Sequence, residues 1–259
     1  MAARELAPSN PSLLERALRR CPGQCVVCRG WTTQRICSAC VERFASAPPR
    51  CWTCAARLPE GLAVGLFKGP SDGSKFRCAT CLGAAPPLDR TIAALDYAFP
   101  WNTLLQHYKF RHAIELASVL LAQLELALER SHAEAPDWLL PVPLSPQRLQ
   151  ERGYNQSLEL ARALAARHGL LCDAAMLLRV RDGAHQAGAA RQERQRQVHR
   201  AFAVEPSRLG ALRGTHVAVL DDVMTTGATL FEIARTLRQA GAARVQAWVV
   251  ARTPADLDD

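Results

Sequence analysis

"VAVLDDVMTTGATL", residues 217–230, is a run of aliphatics that ends in two adjacent aspartates and then in a small, hydroxyl-rich loop. A short unbroken apolar run bounded by turn residues predicts a buried strand, here ending near Leu220. The stretch that follows, "ATLFEIARTLRQAG", carries helical spacing and predicts a helix beginning near Ala228 and ending at Gly241. Neighbouring carboxylates repel, so Asp221 and Asp222 at a strand end call for an external reason. Ligands of open α/β sheets bind just past the C-terminal ends of the strands, where this loop sits. A helix N-terminus presents unpaired N–H groups and about half a positive charge. Gly227 lets backbone approach a ligand closely, and Thr225, Thr226 and Thr229 add hydroxyls. Residues 224–229 therefore read as a phosphate cradle: Met224, Thr225, Thr226, Gly227, Ala228 and Thr229. Asp221 and Asp222 suit a vicinal diol, and a phosphate beside two ribose hydroxyls is a ribose 5-phosphate. Two aspartates capping a turn would explain one of them but not the whole run. Neither G-x-x-x-x-G-K-[ST] nor G-x-G-x-x-G occurs in the chain.

Outward from this stretch, strands and helices alternate. "TIAALDYAF" predicts a strand, followed by one long helix over about 102–129. "DWLLPVPL" predicts a short strand ending in prolines, and "NQSLELARALAARHG" a helix capped by Asn155 and ended by Gly169. "AAMLLRVR" and "ARVQAWVVART" predict two more strands. Strands separated by helices mean a parallel sheet with helices on its faces. "GAAPPLDR" reads as a stiff hinge ahead of this α/β domain, which is expected over 88–259. Residues 1–20 predict one short amphipathic helix.

Nine of the ten cysteines lie between residues 21 and 81, and eight of them form four Cys-x-x-Cys pairs. These are Cys25/Cys28, Cys37/Cys40, Cys51/Cys54 and Cys78/Cys81. Each pair can supply one edge of a tetrahedron with Zn–S near 2.3 Å, and two pairs close a four-thiolate structural site. Metal binding would supply the folding free energy of a segment this poor in aliphatics. Disulfides do not suit a chain without an export signal, and a redox Cys-x-x-Cys would occur once, beside a βαβ unit. Two structural Zn2+ ions are expected in a double zinc ribbon over 21–84. Sequential pairing (25, 28, 37, 40, then 51, 54, 78, 81) is preferred to an interleaved cross-brace. Cys21 is a spare ligand at most, and Cys172 reads as a small core residue.

The 259-residue chain is 49% hydrophobic with a formal charge of +8, the composition of an ordinary soluble protein. Eight thiolates and two zinc ions would lower that charge to about +4, so basicity alone argues weakly for a nucleic-acid partner. The most apolar helical region, "ELASVLLAQLELALER", is interrupted by Gln123, Glu125 and Glu129. No membrane span and a cytoplasmic location are expected.

The strand, the two acidic residues and the Thr-Thr-Gly-x-Thr loop resemble a type I phosphoribosyltransferase. The Cys-x-x-Cys repeats, "YKF" (108–110), "LPVPL" (140–144), "RLQERGYNQ" (148–156) and "DDVMTTGATL" occur in the order seen in the ComF/GntX family, which the chain resembles over nearly its whole length after residue 20. Met224, where Leu or Val is common, and His107 are the small departures.

The resemblance implies a type I phosphoribosyltransferase-like sheet flanked by helices behind a small N-terminal zinc-ribbon domain. It implies that Asp221 and Asp222 hold the ribose of phosphoribosyl pyrophosphate (PRPP), that residues 224–229 hold its 5-phosphate, and that Mg2+ arrives with PRPP. The turn after "LLPVPL", with Arg148 and Arg152, would face the pyrophosphate. "AGAARQERQRQ", with Arg191, Arg194 and Arg196, would be a mobile lid; a solvated or nucleic-acid-binding surface suits its composition equally. Lys109 between two aromatics is a further catalytic candidate. The implied activity is phosphoribosyl transfer to an unidentified acceptor. The alternative is a non-catalytic protein binding PRPP or single-stranded DNA in DNA uptake or processing, with protein partners of DNA uptake.

Overall fold

The computed structural model describes residues 22–59, 76–181 and 200–254. The expected helix at 1–20 and the expected lid arginines Arg191, Arg194 and Arg196 lie outside these residues. Contacts divide the chain into a unit that runs through Phe44 and a unit from Ala45 onward. The first holds an antiparallel pair, β1 (Gly23–Gln24) and β2 (Trp31–Thr32), and helix α1 (Ser38–Phe44). The second holds, in order, α2 (Ala79–Gly83), β3 (Arg90–Asp96), α3 (Trp101–Phe110), α4 (Ala117–Arg130), β4 (Trp138–Pro141), α5 (Pro146–Arg152), α6 (Gln156–His168), β5 (Leu177–Arg179), β6 (Phe202–Val204), α7 (Leu209–Leu212), β7 (His216–Met224), α8 (Ala228–Gln239) and β8 (Arg244–Arg252).

Four of these strands form a parallel sheet in the order β3-β8-β7-β4. The two central strands explain the unbroken aliphatic runs. Val217, Ala218, Val219 and Leu220 of β7, and Val245, Ala247, Val249 and Val250 of β8, are fully buried. Strands covered on both faces need apolar side chains on both. Leu120, Leu121 and Leu124 of α4, Leu160 and Leu164 of α6, and Ile233 and Leu237 of α8 supply that cover. Burying each such side chain contributes about 1.5–3 kcal/mol. Helix α6 starts and stops as its sequence directs. The Asn155 side chain accepts from the N–H groups of Ser157 and Leu158, and Gly169 takes a left-handed φ of 66° at the C-cap.

Three expectations are corrected. The long helix over 102–129 is two helices, α3 and α4, with a 3-10 turn at Ile114–Leu116 between them. The buried stripe of α3 (Trp101, Leu104, Leu105, Tyr108) would next fall on Arg111 and His112, which cannot follow it inward, and the stripe restarts at Leu116. The strand in "AAMLLRVR" lies outside the parallel sheet and pairs antiparallel with β6 in a two-stranded ribbon. Its three residues, only the first of them buried, lack the two-sided burial of a parallel strand. Strand β7 runs past Leu220 to Met224, because β8 pairs alongside it as far as Met224↔Arg252.

The segment around Cys51 is built onto the sheet. Thr91 of β3 donates its N–H to the Trp52 carbonyl (2.9 Å) and its hydroxyl to the Thr53 carbonyl (2.6 Å). Cys51, Cys54, Ala55, Ala56 and Leu58 belong to the same buried cluster as Val219 and Val249. Among the described residues no helix is long and apolar enough to cross a membrane.

Candidate functional site

Strand β7 carries both aspartates on regular backbone, where successive side chains point to opposite faces. They have different surroundings. Asp222 is 3% exposed, and its Oδ1 lies 3.0 Å from Nζ of Lys109, while Oδ2 is buried with no hydrogen-bond partner. Asp221 is half-buried; its Oδ1 accepts from the Ser157 hydroxyl (3.0 Å) and from the Asp222 N–H (2.9 Å). Burial and the neighbouring Asp222 carboxylate push the Asp221 carboxyl up to about 7, against the opposing pull of Lys109.

The loop after β7 leads into α8 through Gly227, whose φ of 85° is left-handed and which leaves the helix without a side-chain cap. A Cβ at Gly227 would meet Met224 Cε at 2.5 Å and the Phe231 ring at 2.7 Å. Both the backbone and the packing therefore demand glycine here. Thr225 is exposed, while Thr226, Ala228 and Thr229 are half-buried. The first turn of α8 thus presents N–H groups and hydroxyls together, the chemistry that receives an anion.

The remaining motifs converge on this strand end. Tyr108 is fully buried and donates its hydroxyl to the Gln156 carbonyl (3.2 Å). Lys109 pairs with Asp222, and Phe110 lies under the Arg152 guanidinium, 4.9 Å from ring centroid to Cζ. The Tyr154 hydroxyl donates to the Tyr108 carbonyl, and the two rings meet edge to face at 5.8 Å. Ser145 caps α5, Gly153 ends it at φ 74°, and Asn155 both caps α6 and donates to the Val142 carbonyl (3.0 Å). "YKF", "LPVPL" and "RGYNQ" are thus one scaffold that brings Lys109 and Ser157 against the aspartates. Arg148 lies in the first turn of α5 and Arg152 in its last, both partly exposed.

Sequence reasoning missed Ser157 and Arg252. Arg252, at the end of β8, is 7% exposed. Its Nε donates to the Cys54 carbonyl (2.9 Å), and its Nη1 to the carbonyls of Met224 (3.3 Å), Thr225 and Thr253 (2.8 Å). The signal was legible: an arginine closing the apolar run "AWVVAR" must find partners if it is buried.

The cysteines form two groups, Cys25, Cys28, Cys37, Cys40 and Cys51, Cys54, Cys78, Cys81, with the four Sγ atoms of each within 4.8 Å of one another. The grouping is sequential, as expected. The two are built alike. Cys28 and Cys37 Sγ are 3.7 Å apart, as are Cys54 and Cys78 Sγ, the edge length of a Zn–S tetrahedron. The Cys37 N–H donates to Cys25 Sγ (3.4 Å) and the Cys78 N–H to Cys51 Sγ (3.3 Å). Arg29 and Ala55, each one residue past a Cys-x-x-Cys, both take a left-handed φ. Hydrogen bonding from Cys54 and from nearby backbone N–H groups pulls the Cys51 thiol down to about 4 despite its burial. Four sulfurs gathered at tetrahedral edge distances fit a closed zinc site, and both clusters could hold the ion.

Residues 156–259 match the family model described as phosphoribosyl transferase domain. The chain is 33% identical over 242 residues to the DNA utilization protein YhgH of Salmonella typhimurium, covering 90% of this chain and 98% of that one. It is 29% identical over 236 residues to competence protein F of Haemophilus influenzae, covering 88% and 96%. A solved structure, the glutamine PRPP amidotransferase of B. subtilis complexed with ADP and GMP, overlaps 52% of this chain and 26% of that chain at 21% identity, with a TM-score of 0.35.

Proposed function

This chain belongs to the ComF/GntX family, and on that premise we propose that it binds PRPP with Mg2+ at the end of β7 and transfers the phosphoribosyl group to an acceptor. One observation carries the reading. A half-buried carboxylate (Asp221) and a buried, unpartnered carboxylate oxygen (Asp222 Oδ2) stand just before an uncapped helix N-terminus rich in hydroxyls. An orphaned buried acceptor costs about 1–3 kcal/mol, and more when charged. Ribose hydroxyls are donors of the right kind. In this reading the ribose hydroxyls donate to Asp221 and to Asp222 Oδ2, Lys109 holds Asp222 Oδ1, and residues 224–229 receive the 5-phosphate. Arg148 and Arg152 face the pyrophosphate, with Arg191, Arg194 and Arg196 closing over it.

In the transfer, the bond between ribose C1 and the pyrophosphate oxygen breaks with its electrons leaving on pyrophosphate. The acceptor's lone pair forms the new bond to C1, and its proton passes to solvent. Mg2+ arriving with PRPP would help Arg148 and Arg152 offset the charge of the leaving group. Zn2+ at the two cysteine clusters has a structural part.

Calorimetric titration of Mg2+ and PRPP into zinc-loaded wild type and Asp221→Asn tests the reading. Binding by wild type, lost in a variant that is at least as stable, supports it. No heat from folded wild type would overturn it.

A second reading is single-stranded DNA binding. A groove of about 840 Å3 at the N-terminal ends of β3 and β8 is lined by Arg77, Arg90, Arg238 and Arg244 beside Trp52, with Asp89 and Glu134 as counter-charges. Arg90 already stacks on Trp52 (4.0 Å), and Arg238 and Arg244 pair with Asp89 (2.6 Å) and Glu134 (2.5 Å). In this reading phosphates would exchange for those carboxylates, with exposed Arg77 making the first contact. Affinity for an oligothymidylate that falls steeply with salt, and falls again in Arg77→Glu, would support it.

A further inference from the structure

We propose that Arg252 is a positioning residue that makes the phosphate loop depend on the metal state of the second cysteine cluster. One buried guanidinium holds both ends of this connection. Its Nε donates to the carbonyl of Cys54, a ligand-bearing residue of the cluster, at 2.9 Å. Its Nη1 donates to the carbonyls of Met224 and Thr225, the first residues of the loop. Thr253, next to Arg252, donates its N–H to the same Met224 carbonyl at 3.0 Å.

Packing of Gly227 on Met224 and Phe231 and the Phe231 N–H bond to the Gly227 carbonyl (2.9 Å) hold the far end of the loop. Its first residues have few hydrogen bonds apart from those of Arg252 and Thr253. Gly227 supplies no side-chain cap to α8, and the Ala228 N–H reaches only the Thr226 hydroxyl, at 3.4 Å. The position of the Cys54 carbonyl is set by the Cys-x-x-Cys turn, in which the Ala55 N–H donates to the Cys51 carbonyl and the Cys51 N–H to that of Ala56. Thr91 ties the Trp52 and Thr53 carbonyls of this turn to β3, and a metal shared by its two sulfurs would fix the remaining freedom at Cys54. Without the ion the turn loosens, the Cys54 carbonyl no longer fixes Nε, and the planar guanidinium loses one of its two anchors. A guanidinium is suited to this task because its donors diverge from a rigid plane, whereas an ammonium is a single point. The phosphate site assigned above would then respond to a metal ion that touches no substrate. The inference rests on the PRPP reading for its functional consequence, but the mechanical link stands apart from it.

The test separates the two. Backbone 15N relaxation of residues 224–229 is measured without PRPP in zinc-loaded wild type, in zinc-stripped wild type, and in Arg252→Gln and Arg252→Lys. Order parameters in rigid backbone are about 0.85 and fall below about 0.6 where the chain is mobile. The loop is expected to be rigid in loaded wild type and mobile in the other three. The variants should retain full zinc content and unchanged amide exchange at 217–220. Stripping zinc from Arg252→Gln should mobilise the loop no further, since the link is already cut. An unchanged loop in either variant overturns the proposal. So does a further loss of order on stripping Arg252→Gln, or loss of protection throughout β7, which would make Arg252 a general fold residue. PRPP calorimetry on the same samples follows. If loaded wild type does not bind while the loop responds as described, the PRPP reading fails and the link survives.

Discussion

Replacing Asp221 with asparagine should make the protein more stable and at the same time abolish its affinity for PRPP. Burial and the Asp222 carboxylate raise the Asp221 pKa from 3.8 to about 7. The folded state therefore holds a proton more tightly than the unfolded one, and stability falls as pH rises from about 4 through about 7. The difference of about three units, at 1.36 kcal/mol each, sets an upper bound of about 4 kcal/mol on the cost of a charged Asp221 above pH 7. Asparagine keeps an acceptor oxygen for the Ser157 hydroxyl and the Asp222 N–H but carries no charge. We expect Asp221→Asn to be about 2–4 kcal/mol more stable at pH 8 by denaturant titration of zinc-loaded protein. That advantage should shrink by about 1 kcal/mol on going down to pH 6. A variant less stable than wild type at pH 8, or an advantage that does not change with pH, would refute the electrostatic account of this strand end.

Three further outcomes follow from the same geometry. Lys109→Met leaves Asp222 buried without its cation and should cost about 3–5 kcal/mol at pH 8, with Asp222→Asn recovering part of the loss in a double-mutant cycle. Gly227→Ala places a methyl within 2.5 Å of Met224 Cε and 2.7 Å of the Phe231 ring at a left-handed φ. It should cost about 2 kcal/mol or more in thermal unfolding, and less in a Met224→Ala background, as a double-mutant cycle would show. Asn155→Ala removes the acceptor for the Ser157 and Leu158 N–H groups and the bond to the Val142 carbonyl. It should lower stability by about 1–2 kcal/mol.

What the sequence disclosed was mostly local. The buried strand at 217–220, the Asn155 and Gly169 caps and the sequential cysteine groups each depend on neighbours within one segment. The doublet Asp221-Asp222 marked the site, but not that its members would have separate surroundings. That difference comes from β8 extending the strand to Met224, a partnership between distant segments. The salt bridge from Lys109 to Asp222 was hidden for the same reason: "YKF" reads as an ordinary helix surface until α3 lies beside β7. The end of α3 carries no glycine or proline to announce it; it ends where the buried stripe meets Arg111 and His112. The β5 strand had the right residues but too little burial to enter the parallel sheet. Such partnerships have no single-segment signature, and the arginine that ends β8 was the one place where composition alone could have exposed one.

The attachment of the second cysteine segment to Thr91 has a consequence for solubility. Strand β3 is the outer member of the sheet on that side, and an outer strand left bare is a template for pairing with another chain. The carbonyls of Trp52 and Thr53 occupy part of it. Any loosening of the second cysteine segment would bare the Thr91 N–H and the part of the edge around it. Light scattering that rises with protein concentration while far-UV circular dichroism stays unchanged would be the mark of that bared edge.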